Sequence, residues 1–279
     1  LLRQLAKEVG LPRPHPHSAA LRRNVEVMVD GRRERQNRLL VWWRRKLMLG
    51  KSAPILLIDA DADIEINRRL FGASLSHVTI PVARNAEVTQ CHNSSFSRRA
   101  ILAYEGASDK SKAQALRVLN NIKIFIERLS QNARLLVVCA LPVRRAITGE
   151  KESKLPLCCE WKGATISHFG RIKGVDIWKH YEMVLNIGRE QPPPTAVEGL
   201  ARAIWDDDPV PLNLTGAYIK TVRGYRIRDG TKAGVEVYIH PDTRVQRVLE
   251  IKRERESLQA IDRIRLVHAS EIKKVYILG

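Results

Sequence analysis

Residues 109–130 read DKSKAQALRVLNNIKIFIERLS, and ARLLVVCAL follows at 133–141. In the first stretch Ala115, Leu119, Ile122, Ile126 and Leu129 recur at spacings of three and four. That period gathers them on one face of an α-helix, with the charged residues turned outward. The second stretch is apolar on successive residues after Arg134, as in a strand covered on both faces. A long amphipathic helix feeding a doubly covered strand is the building unit of an α/β protein with a parallel sheet.

The same alternation extends in both directions. Downstream, EMVLNIG (182–188) reads as a strand, and a helix through Arg144 and Arg145 lies before it. QPPPTAVEGLARAIW then opens a helix behind a proline block, with Thr195 expected as its N-cap. An acidic loop, DDDP (206–209), leads to a hairpin-like stretch through Arg223–Tyr225 and Val235–Ile239. A charged helix over about 242–262 and the strand VYIL (275–278) close the chain. Upstream, PILLID (54–59), HVTIPVA (77–83) and AILAY (100–104) read as strands, and IEINRRLFG as a helix ended by Gly72. Residues 1–10 read as a short helix, followed by the proline-broken LPRPHPHS. From about 19 to 48 the pattern is expected to be helical, with Ser18 as its cap. The reading divides the chain into 1–75, a basic and mainly helical segment with one strand, and 76–279, an α/β lobe.

The chain carries 48 Lys and Arg against 30 Asp and Glu, a net charge of +18, with 12 basic and 4 acidic residues in the first 50. Such an excess points to a polyanionic partner, and nucleic acid, with DNA expected, fits better than an anionic membrane. No apolar run approaches the roughly 18 residues of a membrane span. The N-terminus lacks the pattern of a signal peptide, and a cytoplasmic, bacterial or nucleoid-associated protein is expected. Both termini read as cuts through a longer polypeptide. Cys91, Cys139, Cys158 and Cys159 lack metal-ligand spacing and fit free thiols in a reducing compartment. His15 and His17 lack the further ligands a metal needs, and an exposed proline-rich linker explains them.

Three local features bear on chemistry. Trp42, Trp43, Arg44 and Arg45 interleave rings and guanidinium groups, a combination suited to stacking bases and contacting phosphates; the tryptophans equally suit a core. GKS at 50–52 fails as a phosphate loop, because Arg45 stands where a glycine is needed and a proline follows instead of a helix. DADADIE (59–65) alternates Asp59, Asp61, Asp63 and Glu65, which in an extended chain would share one face and could hold magnesium. Alternatively, Asp61 or Asp63 caps the following helix. His168 reads as a structural hydrogen-bonder.

NARLLVVCALPVRRAI, then ATISHFGRIKGVDIWKHYEMVLNIG, then ESLQAIDRIR, in that order, resemble the second RecA-like lobe of superfamily 2 helicases. The likeness spans roughly 55–279. In that family a strand like LLVV is followed by a Thr-to-Gly-x-Asp segment, matched by Thr165, Gly174 and Asp176. A helix with Gln and then Arg residues closes the set, matched by Gln259, Arg263 and Arg265. The resemblance implies a RecA-like (P-loop NTPase-type) fold and a nucleic-acid-dependent ATPase using ATP and magnesium. It implies that Arg263 reaches a γ-phosphate with Arg265 in support, and that Gln259, Gly174 and Asp176 line the nucleotide. Thr165, Arg171 and Lys173 would meet nucleic acid. Asp262 stands where the family has Gly, and Arg265 lies two rather than three residues after Arg263. With neither phosphate loop nor Asp-Glu pair, hydrolysis is not expected of these residues alone. A magnesium-dependent enzyme of topoisomerase-primase or nuclease type, built on the DADADIE cluster, and a non-enzymatic DNA-binding module are the competing expectations.

Overall fold

A computed structural model describes residues 6, 18–29, 32–44, 54–59, 61–91, 94–152, 154–226 and 230–279. The chain forms two compact units, Leu1–Thr79 with Pro192–Arg223 and Glu236–Ile251, and Ile80–Gln191 with Gly224–Val235 and Lys252–Gly279. The expected division near residue 76 falls close to the break at 79/80, but two later segments also belong to the first unit.

The second unit is α/β. Its sheet has the order β3–β10–β7–β4–β6–β5, where the strands are β3 (Ala86–Cys91), β4 (Leu135–Cys139), β5 (Cys159–Trp161), β6 (Ala164–His168), β7 (Met183–Ile187) and β10 (Lys273–Leu278). All pairings are parallel except β5 with β6. Both faces are covered, and the sequence shows why. Along β4, Leu135, Val137 and Cys139 enter one core, with Ile122, Ile126, Val143 and Ile147. Leu136 and Val138 enter the other, with Trp178, Ala260, Ile264 and Val275. Successive strand side chains point to opposite faces, so an unbroken apolar run is what a two-sided core demands.

Helix α3 (Asp109–Ser130) matches its expected span and buries Ala115, Ile122 and Ile126. Ser108 caps it by accepting from the Ser111 N–H. Helix α4 (Leu141–Thr148) follows β4 directly, carrying Pro142 in its first turn and ending at Gly149 in the left-handed region. The short α2 (Arg98–Ile101) begins at Ser97. AILAY is therefore not a strand, because its first residues complete that helix.

The first unit gathers α1 (Ile64–Phe71), α5 (Pro194–Ile204) and the start of α6 (Thr243–Ile261) around Trp205, Val245 and Leu249. The stretch expected to be a basic helix is instead an antiparallel hairpin, β1 (Ala19–Val29) with β2 (Arg32–Val41). Val25, Val27 and Val29 alternate with polar or less buried neighbours, the two-residue period of a strand, and that signal outweighs helix propensity here. The expected hairpin through 223–239 is present as β8 (Ile219–Arg226) with β9 (Lys232–Ile239).

PILLID and HVTIPVA are not strands. Leu56, Ile58, Val78 and Ile80 are exposed, and neither segment pairs among the described residues. An apolar run supplies a strand's composition, but the strand itself exists only through a ladder with a neighbour. Helix α5 starts at Pro194 with Pro193 in the capping position, so Thr195 lies inside the helix rather than capping it. The expected helix at 1–10, His15 and His17, Arg45 and GKS lie outside the described residues, apart from Ala6.

Candidate functional site

Beyond His168 the chain leaves β6 and crosses the second core on its way to β7. Phe169, Ile172 and Trp178 are the buried anchors of this crossing. Gly170 and Gly174 adopt φ of +79° and +72°, so the turns between anchors need residues without a Cβ. The far end of α6 and the two 3₁₀ turns after it, Asp262–Ile264 and Leu266–His268, pack in the same core.

Here the two segments singled out by the sequence meet. Arg263 Nη1 donates to the Val175 carbonyl at 3.1 Å, across 88 positions of sequence. Arg265 Nε donates to Asp176 Oδ1 at 2.7 Å. Arg265 takes φ +58°, a conformation uncommon for a non-glycine residue, and its N–H closes on the Asp262 carbonyl. Its guanidinium holds the Asp176 carboxyl below the usual carboxylate range, chiefly through that hydrogen bond. The Arg263 Nε is enclosed and has no acceptor among the described residues.

Two further residues fix the crossing, and the sequence reading missed both. Glu256 accepts from the Gly170 N–H at 3.0 Å and pairs with Lys173 Nζ at 2.7 Å. Lys273 Nζ donates to the Lys179 and Ile264 carbonyls, tying the crossing to the 3₁₀ turn from its other end. A signal for Glu256 exists: Leu249, Arg253, Glu256 and Ala260 recur at spacings of three and four along α6 and are all buried. Charged members inside an otherwise apolar stripe mark side chains with specific partners.

The remaining expected residues are distributed differently. Thr165 is buried, hydrogen-bonded to Glu160 and Tyr181, and so cannot touch a nucleic acid directly. Gln259 is half-buried, and α6 stops at Ile261, so Gln259 and Arg263 do not share one continuous helical face. Arg171 is exposed, and Lys173 is engaged by Glu256.

In the first unit, Trp42 packs against Gly199, where an added Cβ would meet its Nε1 at 2.8 Å, and lies beneath Arg202 at 5.2 Å. It is a packing residue. Trp43 is 56 % exposed. Arg44 is taken up by Asp206, Asp207 and the Arg69 carbonyl, so the acidic loop neutralises it rather than leaving it for phosphate.

Asp63 caps α1, accepting from the Glu65 and Ile66 N–H groups, and Asp59 accepts from the Asp61 N–H. Arg247 pairs with both Asp63 and Glu65. Among the described residues no three His, Cys, Asp or Glu side chains converge as a metal would require.

His168 Nδ1 accepts from Arg144 Nη1 at 3.2 Å, a structural role as expected. Burial, then the positive charge of Arg144, lowers its pKa. Arg144 is fully buried, with Glu150 and the Pro156 and Leu157 carbonyls as its other partners. Burial raises the Cys139 and Cys159 thiols, the latter to about 11, which keeps both protonated and unreactive. Among the described residues no helix is long and apolar enough to cross a membrane. No family model, no curated protein and no solved structure matches the chain.

Proposed function

We propose that the second unit is a nucleic-acid-binding, RecA-like lobe of a superfamily 2 helicase-like ATPase. One observation carries the reading: Gly174–Asp176 and Arg263–Arg265, linked only by a resemblance of short motifs, are hydrogen-bonded to each other against a mostly parallel sheet. The net charge of +18 supports the nucleic-acid part. In this reading Arg263 is assigned the γ-phosphate contact, with Arg265 in support, and each would exchange its bond to the Val175 carbonyl or Asp176 for one to phosphate. ATP and magnesium belong chiefly to a partner lobe with a phosphate loop, since residues 1–279 contain no GxxxxGK[ST] and the described residues no carboxylate set for magnesium.

The test is nucleic-acid-stimulated ATP hydrolysis by the full-length protein, wild type against Arg263→Ala. Lost turnover with oligonucleotide binding retained is the expected result. Full activity in the variant overturns the role of Arg263, and absence of hydrolysis in the wild type overturns the ATPase reading. A second reading, a non-enzymatic nucleic-acid-binding module, is favoured by the internal engagement of both guanidinium groups. It expects binding without nucleotide dependence.

A further inference from the structure

The second unit contains a cleft of about 980 Å³ that no motif of the sequence marks. Its walls are the segment from Ser94 through Tyr104, including α2, and one side of α3. On α3 the cleft-lining residues Lys110, Gln114, Arg117 and Asn121 fall at helical spacing, so they form one polar stripe. Lys110 and Arg117 lie about 10 Å apart along the helix axis, far enough to reach two phosphates rather than one. From the opposite wall come Arg99 and the ring of Tyr104, stacked as a cation over an aromatic face at 5.8 Å. Phe96 adds a second ring.

Three cations line this cleft and no carboxylate does. None of the three has an ion-pair partner among the described residues, whereas Arg44, Arg144 and Lys173 are each neutralised by a carboxylate. Tyr104 is 57 % exposed, a large apolar ring left in contact with water beside unpaired positive charge. The amides of Gln114 and Asn121 can donate and accept, as base edges require.

We propose that this cleft binds single-stranded nucleic acid, with Lys110, Arg117 and Arg99 on the phosphates and Tyr104 and Phe96 stacking unpaired bases. Cations that follow a backbone and aromatic faces that take bases are the two parts of such a site. A duplex keeps its base faces stacked on each other and cannot use the rings. The proposal rests on the nucleic-acid part of the reading above and is independent of ATP hydrolysis.

The experiment measures fluorescence anisotropy of labelled dT12, rU12 and a 12-base-pair DNA duplex with the whole chain. Three variants are compared with wild type: Arg99→Ala/Arg117→Ala, Tyr104→Ala, and Lys123→Ala/Arg128→Ala, which removes the same charge from α3 outside the cleft. Circular dichroism melting verifies folding, and Tyr104→Trp, which keeps a stacking ring, should retain binding. The double cleft variant should weaken single-strand binding about tenfold or more and reduce the salt slope by about 1.4, at 0.7 per phosphate. Tyr104→Ala should weaken it about fivefold or more, and the control should change it far less. The ratio of dT12 to rU12 affinity assigns DNA or RNA as the ligand. Equal binding by cleft and control variants overturns the cleft while leaving nucleic-acid binding intact. Binding of duplex as tight as dT12 overturns the single-strand assignment. Wild-type protein that binds none of the probes overturns both the cleft and the reading beneath it.

Discussion

Arg265 and Asp176 stand 89 positions apart in sequence, yet the Arg265 Nε lies 2.7 Å from the Asp176 carboxylate, one residue beyond the Arg263 contact to the Val175 carbonyl. Two arginines separated by Ile264 on one segment thus hold adjacent residues, Val175 and Asp176, on the other, which fixes register as well as proximity. Arg263→Ala should leave the Val175 carbonyl without its donor and destabilise the second unit by about 1 kcal/mol. Amide hydrogen exchange over 170–180 should accelerate while exchange in β4 stays unchanged. In Arg265→Ala the Asp176 carboxyl, titrated by NMR, should rise toward the ordinary carboxylate range, with Lys179 and Arg263 still holding it somewhat down. An unaltered Asp176 titration would show that the contact does not form in solution.

Arg144 gives a larger prediction because it is fully buried. Arg144→Met removes the charge and leaves Glu150 and the Pro156 and Leu157 carbonyls without their shared donor. Breaking a buried pair from one side destabilises by about 3 kcal/mol. The pH dependence has a definite sign. The Arg144 hydrogen bonds hold the Glu150 pKa below its ordinary 4.5, so Glu150 contributes stability that is present above that value and lost as pH falls through the lowered one. Urea denaturation should therefore show the gap between wild type and variant wide at pH 7 and narrowed in strong acid. A constant gap would mean the pair is not what Arg144 supplies.

The sequence made the covered elements legible and the uncovered ones misleading. Helix α3, β4 and β7 occupy nearly the spans their periodicity implies, because burial on one or both faces imposes a pattern that composition alone reveals. PILLID has a buried strand's composition and is exposed, since pairing depends on a partner that local sequence does not encode. Strand β3, AEVTQC, went unnoticed for the opposite reason: it is an edge strand whose Glu87, Val88 and Thr89 face water. Motif order drew attention to Arg263 and Asp176, and the segments that carry them meet in the structure. Glu256 was hidden in a charged helix, and Arg44 gave no hint that Asp206 and Asp207 would neutralise it. The Arg99–Tyr104 cleft needs two segments folded together, so no local pattern announces it.

Glu190 offers a test in the opposite sense. Burial, reinforced by the nearby Glu256 carboxylate, raises its pKa above the ordinary 4.5, with Arg98 only partly compensating. A carboxyl raised in the folded state favours folding below its unfolded pKa, and that contribution is lost as pH rises through the raised value. Glu190→Gln removes the burdened charge and should raise the melting temperature at pH 7. The two proteins should converge near pH 4. A variant less stable than wild type at neutral pH would refute the assigned environment.

Asp63 separates a helix cap from a metal ligand. Its Oδ1 accepts the Glu65 and Ile66 N–H groups at 3.1 Å each, satisfying two donors that the first turn of α1 leaves open. Asp63→Ala should destabilise the first unit by about 1 kcal/mol. Asp63→Asn should be close to neutral, because an amide oxygen accepts the same two bonds and the 3.5 Å pair with the half-exposed Arg247 contributes little. Asp59→Ala, at an exposed position, should change stability by no more than about 0.5 kcal/mol. Thermal denaturation with and without magnesium checks the order. If Asn proved as damaging as Ala, and only with magnesium present, the carboxylate charge itself would be what matters, and DADADIE would be a cation site rather than the start of a helix.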